Sequence, residues 1–235
     1  MQKVAFITGT SRGIGQALAE LLLKENYLVY GYSRTNYIKH PNFTFIKLDL
    51  SNLEEVKKIS FPKLKNTNFL LVNNAARVGS IIPLNMKKEV DIIHDYNLNI
   101  IAPTILCAKF INYNDSYKKM IINISSGAAN NNIASWSTYC ASKSALDRLT
   151  NVIFEEKHRN LTIFSVYPAV VDTKMQAEIR NTDINLFPLK SKFTDLFKKN
   201  QLESTENVAQ KLFYIIQNHT KYYQNILSIR EIDIN

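Results

Sequence analysis

Tyr139 and Lys143 stand four residues apart in a stretch, residues 137–158, whose apolar positions recur with helical spacing. At that separation two side chains share one helix face. A cation beside a phenol favours the phenolate, so Lys143 is expected to hold the Tyr139 pKa below its ordinary value of about 10. Tyr139 then exchanges a proton with a carbonyl or alcohol oxygen near neutral pH. A second chemical feature lies at the start of the chain. The run Val4-Ala-Phe-Ile-Thr8 leads into Gly9-Thr10-Ser11-Arg12-Gly13-Ile14-Gly15, which holds three of the six glycines. A strand, a glycine-rich turn and a helix in that order let backbone approach a pyrophosphate, and the free N–H groups at the helix start favour the anion. The next apolar run ends Gly31-Tyr32-Ser33-Arg34. No carboxylate stands there to accept from a ribose 2′-hydroxyl. Ser33 and Arg34 offer a hydroxyl and a planar fork to a phosphate instead, with Arg12 as a further cation.

These groups need a frame. Short aliphatic and aromatic runs at 4–8, 28–33, 43–48, 69–72, 120–124, 162–167 and 226–229 read as buried strands. Helical patterns lie at 14–26, 53–59, about 89–111, 137–158 and about 205–219. Alternation of the two predicts an α/β fold: one Rossmann-type, doubly wound parallel sheet with helices on both faces, a single domain over 1–235. The least regular part is 172–203, read as a mobile connection or as a substrate lid over the crevice at the carboxyl ends of the strands.

Composition narrows the classes. Of the residues 46% are hydrophobic, enough for a large core, and the formal net charge is +9. The lysines are scattered, with no arginine-rich or aromatic-interleaved stripe, so a solvated surface is expected rather than a nucleic-acid partner. Cys107 and Cys140 make no disulfide framework, which suits a reducing compartment. No leader pattern follows Met1, and no apolar stretch reaches membrane-spanning length. A cytoplasmic protein without membrane contact is expected. His40, His94, His158 and His219 fit no ligand spacing, so no metal is expected.

The spacing Gly9-x3-Gly13-x-Gly15, joined to Tyr139-Cys-Ala-Ser-Lys143, resembles the short-chain dehydrogenase/reductase family. The resemblance implies NADP(H) as cofactor, given Ser33 and Arg34, and hydride transfer to a carbonyl with Tyr139 as proton donor. It implies that Lys143 also holds the nicotinamide ribose. Ser126, thirteen residues before Tyr139, would hold the substrate oxygen, with Ser125 as its neighbouring rival. Asn99, in Asn99-Ile-Ile-Ala102-Pro103, resembles the family's helix-bend asparagine, with Asn97 as rival. Cofactor contacts carried over by the resemblance are Gly9, Ser11, Arg12, Gly13, Ile14 and Gly15 in the turn, and Asp49 on the adenine amino group with Leu50 beside it. They continue with Asn74-Ala75-Ala76, where the family usually ends in glycine. They close with Pro168, Val171 and Thr173, in a motif where Ala169 replaces glycine.

Local wording narrows the branch. Asn123-Ile-Ser-Ser-Gly-Ala-Ala129, Trp136-Ser-Thr-Tyr139-Cys140 and the segment 171–180 are similar to sepiapterin reductases and bacterial benzil reductases. The final strand carries Ile229 and Arg230 where a pterin binder would place an aspartate, and Asp233 stands further along. The expectation is therefore a small ketone or diketone as substrate, with Trp136 and Met175 lining its pocket and Tyr167 and Phe187 as further lining or core residues. The alternatives are a pterin carbonyl reductase or a protein that only senses NADP(H) or binds a partner on the same fold. Family likeness also implies a homodimer or homotetramer.

Overall fold

A computed structural model of the chain describes residues 2–62, 64–65, 67–113 and 117–234. In chain order its elements are β1 (Gln2–Thr8), α1 (Gly13–Lys24), β2 (Leu28–Ser33), β3 (Phe43–Lys47), α2 (Leu53–Lys58), β4 (Thr67–Asn73), α3 (Glu89–Tyr96), α4 (Ala102–Ile111), β5 (Lys119–Ile124), α5 (Ser137–Glu155), β6 (Leu161–Tyr167), α6 (Lys174–Arg180), α7 (Lys190–Lys198), α8 (Thr205–Gln217) and β7 (Ile226–Ser228). The strands form one sheet in the order β3-β2-β1-β4-β5-β6-β7, and every pairing is parallel. The central strands are apolar on both faces, as a sheet covered by helices requires.

α1 and α8 cover one face, where Leu18 and Leu22 pack with Val208, Leu212 and Ile215. α2, α4 and α5 cover the other through Val56, Leu106, Phe110 and Ile153. A third cluster, with Val78, Trp136, Tyr139, Ile179, Phe187 and Phe193, sits beyond the carboxyl ends of the strands. The strand order reverses at β1, which is flanked by β2 and β4. A ligand crevice opens at such a reversal, outside the strand ends.

Two sequence expectations change. The run 89–111 is two α-helices joined by a wider, π-helical stretch at Asn97–Ile101. Pro103 has no N–H to give to the carbonyl four residues back, which is that of Asn99, so the regular ladder breaks there. The segment 172–203 is more ordered than expected and contains α6 and α7. Thr173 caps α6 by accepting from the Gln176 backbone N–H at 3.4 Å.

Candidate active site

The cleft at the strand ends encloses about 1150 Å³ and is lined from the glycine turn to α7. At its nucleotide end the backbone explains the glycines. A β-carbon on Gly15 would lie 2.4 Å from both the Asn74 Nδ2 and the Gly9 carbonyl oxygen, so only glycine lets α1 start this close. Gly13 has φ +61 and faces open cleft, where a β-carbon would meet only the Thr173 side chain, at 3.4 Å. The Thr8 hydroxyl accepts from the N–H groups of Asn74 at 2.9 Å and Ala75 at 3.0 Å, and Asn74 Nδ2 donates to the Thr8 carbonyl at 2.9 Å. The ends of β1 and β4 are thus tied together around the turn.

Gly9, Ser11, Arg12, Gly13, Ile14, Ser33, Arg34, Asp49, Leu50, Asn74, Ala75, Ala76, Pro168, Val171 and Thr173 all line this cleft; Gly15 lies behind its wall. Ser33 is committed differently from the expectation. It is buried, its hydroxyl donates to the Thr35 carbonyl at 2.7 Å, and it sits 3.3 Å from the Thr10 hydroxyl. Its proton holds the loop, while Arg12 and Arg34 are exposed cations at this end of the cleft. Asp49 Oδ1 accepts from the backbone and hydroxyl of Ser51, and these bonds, with the Arg34 charge, hold its carboxyl below the usual range against some burial. Seven lysine or arginine side chains line the cleft against two carboxylates, Asp49 and Glu178. A glycine cradle with an open β-carbon position, free helix N–H groups and surplus cations fits a nicotinamide dinucleotide.

Trp136 and α5 supply the other end. Tyr139 (7% exposed) and Lys143 (2% exposed) lie on the inner face of α5, and the Lys143 Nζ is 5.7 Å from the centre of the Tyr139 ring. The Ser126 hydroxyl lies beside the Tyr139 hydroxyl, where it favours the phenolate, and caps the short turn at Gly127–Ala129, accepting from the Ala128 N–H at 3.1 Å. Ser125 points instead toward the Lys143 carbonyl, at 3.5 Å. Of the two serines, Ser126 is the one beside the Tyr139 hydroxyl. Asn99 is buried and Asn97 turns away to the Ser51 carbonyl, at 3.1 Å. Asn99 clasps the backbone of Arg77 in both directions, accepting from its N–H at 3.0 Å and donating to its carbonyl at 2.9 Å. No contact of the Asn99 side chain with Lys143 accompanies this.

The expected lowering of the Tyr139 pKa is corrected. Burial pushes Tyr139 up to about 12, opposed by the Ser126 bond, and burial brings Lys143 down to about 8, opposed by the Asp147 charge. Burial dominates at both groups, and the Lys143 ammonium donates to the Ile124 carbonyl at 2.8 Å.

An apolar wall faces Tyr139. Trp136 meets it edge-on with centroids 5.5 Å apart, and Ile133, Met175, Ile179, Phe193 and Leu196 continue the lining. Phe187 stacks on Trp136 at 5.4 Å but is fully buried and does not reach the cleft. Tyr167 lines the cleft and gives its proton to Asp147. Among the described residues no group of His, Cys, Asp and Glu side chains is arranged to hold a metal. Sequence reading missed a buried cluster beside α5. Asp95 has no exposure, and it meets Arg77, Lys87 and Thr138. Its only sequence signal was a charge four residues before Asn99, which on a helix reads as an ordinary solvated face.

The short chain dehydrogenase family model matches residues 3–184. The chain is 34% identical over 230 residues to a benzil reductase ((S)-benzoin forming) of Bacillus subtilis, covering 92% of this chain and 93% of that one. It is 27% identical to the sepiapterin reductase of Rattus norvegicus, covering 92% of each chain. Among solved structures, the YIR035C short chain dehydrogenase/reductase of Saccharomyces cerevisiae superposes with a TM-score of 0.86 at 23% identity, covering 97% of this chain and 96% of that one.

Proposed function

We propose that this chain, which belongs to the short-chain dehydrogenase family, is an NADPH-dependent carbonyl reductase that converts a compact aromatic 1,2-diketone of the benzil kind to a hydroxyketone. The observation that carries this reading is the meeting of Tyr139 with Ser126 and Lys143 at the floor of a cleft whose opposite wall is apolar and aromatic.

A bound nicotinamide supplies the hydride. The chain's own residues handle the oxygen. Ser126 donates a hydrogen bond to the substrate oxygen and holds it as negative charge develops. Tyr139, with a pKa near 12, keeps its proton at neutral pH and so acts as an acid. It gives that proton to the oxygen as C=O becomes CH–OH, and solvent restores it. The Lys143 charge beside the ring offsets the phenolate left behind. The balance is one hydride to carbon and one proton to oxygen.

Preference for NADPH over NADH rests on Arg12 and Arg34 in the lining and on the lack of a carboxylate at the end of β2. A pterin substrate is less well served: Ser228 and Arg230 line the cleft at the end of β7, and Asp233 is not among the lining residues. The exposed apolar side chains Val90 and Ile93 on α3 and Val152 and Phe154 on α5 support a homo-oligomer built through these helices. No helix among the described residues is long and apolar enough to cross a membrane, and we place the enzyme in the cytoplasm on the scarcity of cysteine.

Benzil-dependent loss of NADPH absorbance tests the reading. Tyr139→Phe is expected to lower kcat by roughly 10²–10⁴-fold while NADPH affinity is kept. Turnover like that of the wild type in this variant overturns it.

A further inference from the structure

α5 presents Tyr139 as only its third residue, in the first turn. First turns are the weakest part of a helix because their N–H groups have no partner within it. The usual remedy is missing, since Trp136 at the N-cap makes no side-chain hydrogen bond. The turn is held from the side instead. Asp95 Oδ2 accepts from the Thr138 hydroxyl at 2.7 Å and from the Lys87 Nζ at 3.4 Å, and Arg77 Nε lies 3.0 Å from Oδ1. One helical turn beyond Asp95, Asn99 Nδ2 donates to the Ser142 hydroxyl at 3.3 Å, and that hydroxyl donates to the Tyr139 carbonyl at 2.9 Å. Asn99 also clasps the backbone of Arg77.

The contacts close into a ring: Asp95, Thr138, Tyr139, Ser142, Asn99, Arg77 and back to Asp95. A fully buried carboxylate is costly unless it is paired and hydrogen-bonded, and this one is met by two cations and a hydroxyl. Its negative charge also lies at the N-terminal end of α5, where the helix dipole favours an anion. Connected polar networks of this kind fix geometry more sharply than single bonds do.

We propose that Asp95, acting through Thr138, is the positioning group that fixes the Tyr139 hydroxyl against the substrate oxygen. Neither side chain touches substrate. The clamp does the work of the missing cap and ties the proton donor to the loop after β4, which lines the cleft that would hold the nucleotide. The inference rests on Tyr139 as the proton donor, so its test carries that residue alongside.

Asp95→Ala takes from the buried Lys87 its counter-charge and endangers folding, so Thr138→Val and Thr138→Ser are the decisive pair. In steady-state reduction of benzil by NADPH, Thr138→Val is expected to lower kcat roughly ten- to a hundredfold, with the NADPH dissociation constant held within about twofold. The isotope effect with NADPH deuterated at C4 should rise, because the chemical step becomes more limiting. Thr138→Ser keeps the hydroxyl and is expected to restore kcat to within about threefold of wild type. Unchanged kcat in Thr138→Val, or equal loss in Thr138→Ser, overturns the inference. Tyr139→Phe is measured in parallel. If it is dead while Thr138→Val is normal, the clamp falls alone; if it turns over normally, the reading beneath falls too.

Discussion

Lys143→Met separates what this lysine does for the reaction from what it costs the fold. Lys143 is 2% exposed, and burial brings its pKa from 10.5 to about 8 in spite of the Asp147 charge. Between those two values the unfolded chain holds the proton and the folded chain does not. Stability of the wild type therefore rises with pH across that window, and the cost is fully present below it. At 1.36 kcal/mol per pH unit, keeping Lys143 charged costs the folded state roughly 3 kcal/mol at pH 7 and less than about 1 kcal/mol at pH 10. Methionine carries no such cost, but it leaves the Ile124 carbonyl without its partner, a loss of about 1–3 kcal/mol. That loss is the same at every pH, so the change with pH reads the Lys143 titration alone. Urea unfolding without nucleotide at pH 7, 8, 9 and 10 should show the stability of the variant relative to wild type falling by roughly 2–3 kcal/mol over the series. Turnover is lost throughout. A stability difference that stays level with pH, or that grows in favour of the variant, refutes the reasoning.

Two further outcomes are expected. Arg34→Glu should lower kcat/KM with NADPH about ten- to a hundredfold, as loss of a charge-assisted bond does, while NADH is used as well as before or better. Equal losses with both nucleotides would remove Arg34 from phosphate recognition. Ala169 holds φ 59, a left-handed conformation that costs an L-residue roughly 1–2 kcal/mol. Glycine there gives back about 0.5–1 kcal/mol through the greater freedom of the unfolded chain. Ala169→Gly should therefore raise the melting temperature by about 2 °C, read by calorimetry; a lower value means that the turn is not strained.

Much of the frame was legible because its signals are local. The glycine turn lies between an apolar run and an amphipathic one, and the i, i+4 spacing of Tyr139 and Lys143 needs only a helix to be meaningful. Residues 174–180 were legible too but went unread: Thr173-Lys-Met-Gln176 is a helix-start pattern, and the Gln176 backbone does donate to Thr173. The π-helical stretch was written in Pro103, though its width depends on how α3 and α4 pack. Other features were not readable. The Tyr139 pKa depends on desolvation, which no spacing reveals, so the neighbouring cation was foreseen and the burial was not. Ser33 was read by residue type, but its hydroxyl was already spent on Thr35. Asp95 looked like a surface charge until the loop bearing Arg77 and Lys87 folded over it.

Trp136 is the one tryptophan in the chain. It packs in a triangle of rings with Phe187 at 5.4 Å and Phe193 at 5.5 Å, these two being 5.8 Å from each other, and it meets Tyr139 at a near-perpendicular angle. All indole emission from this protein therefore comes from one point on the wall of the cleft, a few ångströms from Tyr139. A reduced nicotinamide absorbs where indole emits, so energy passes from Trp136 to it whenever it is bound nearby. The protein carries its own optical gauge of occupancy. Any shift of Phe193 on α7 registers in the same signal, without a label and without turnover.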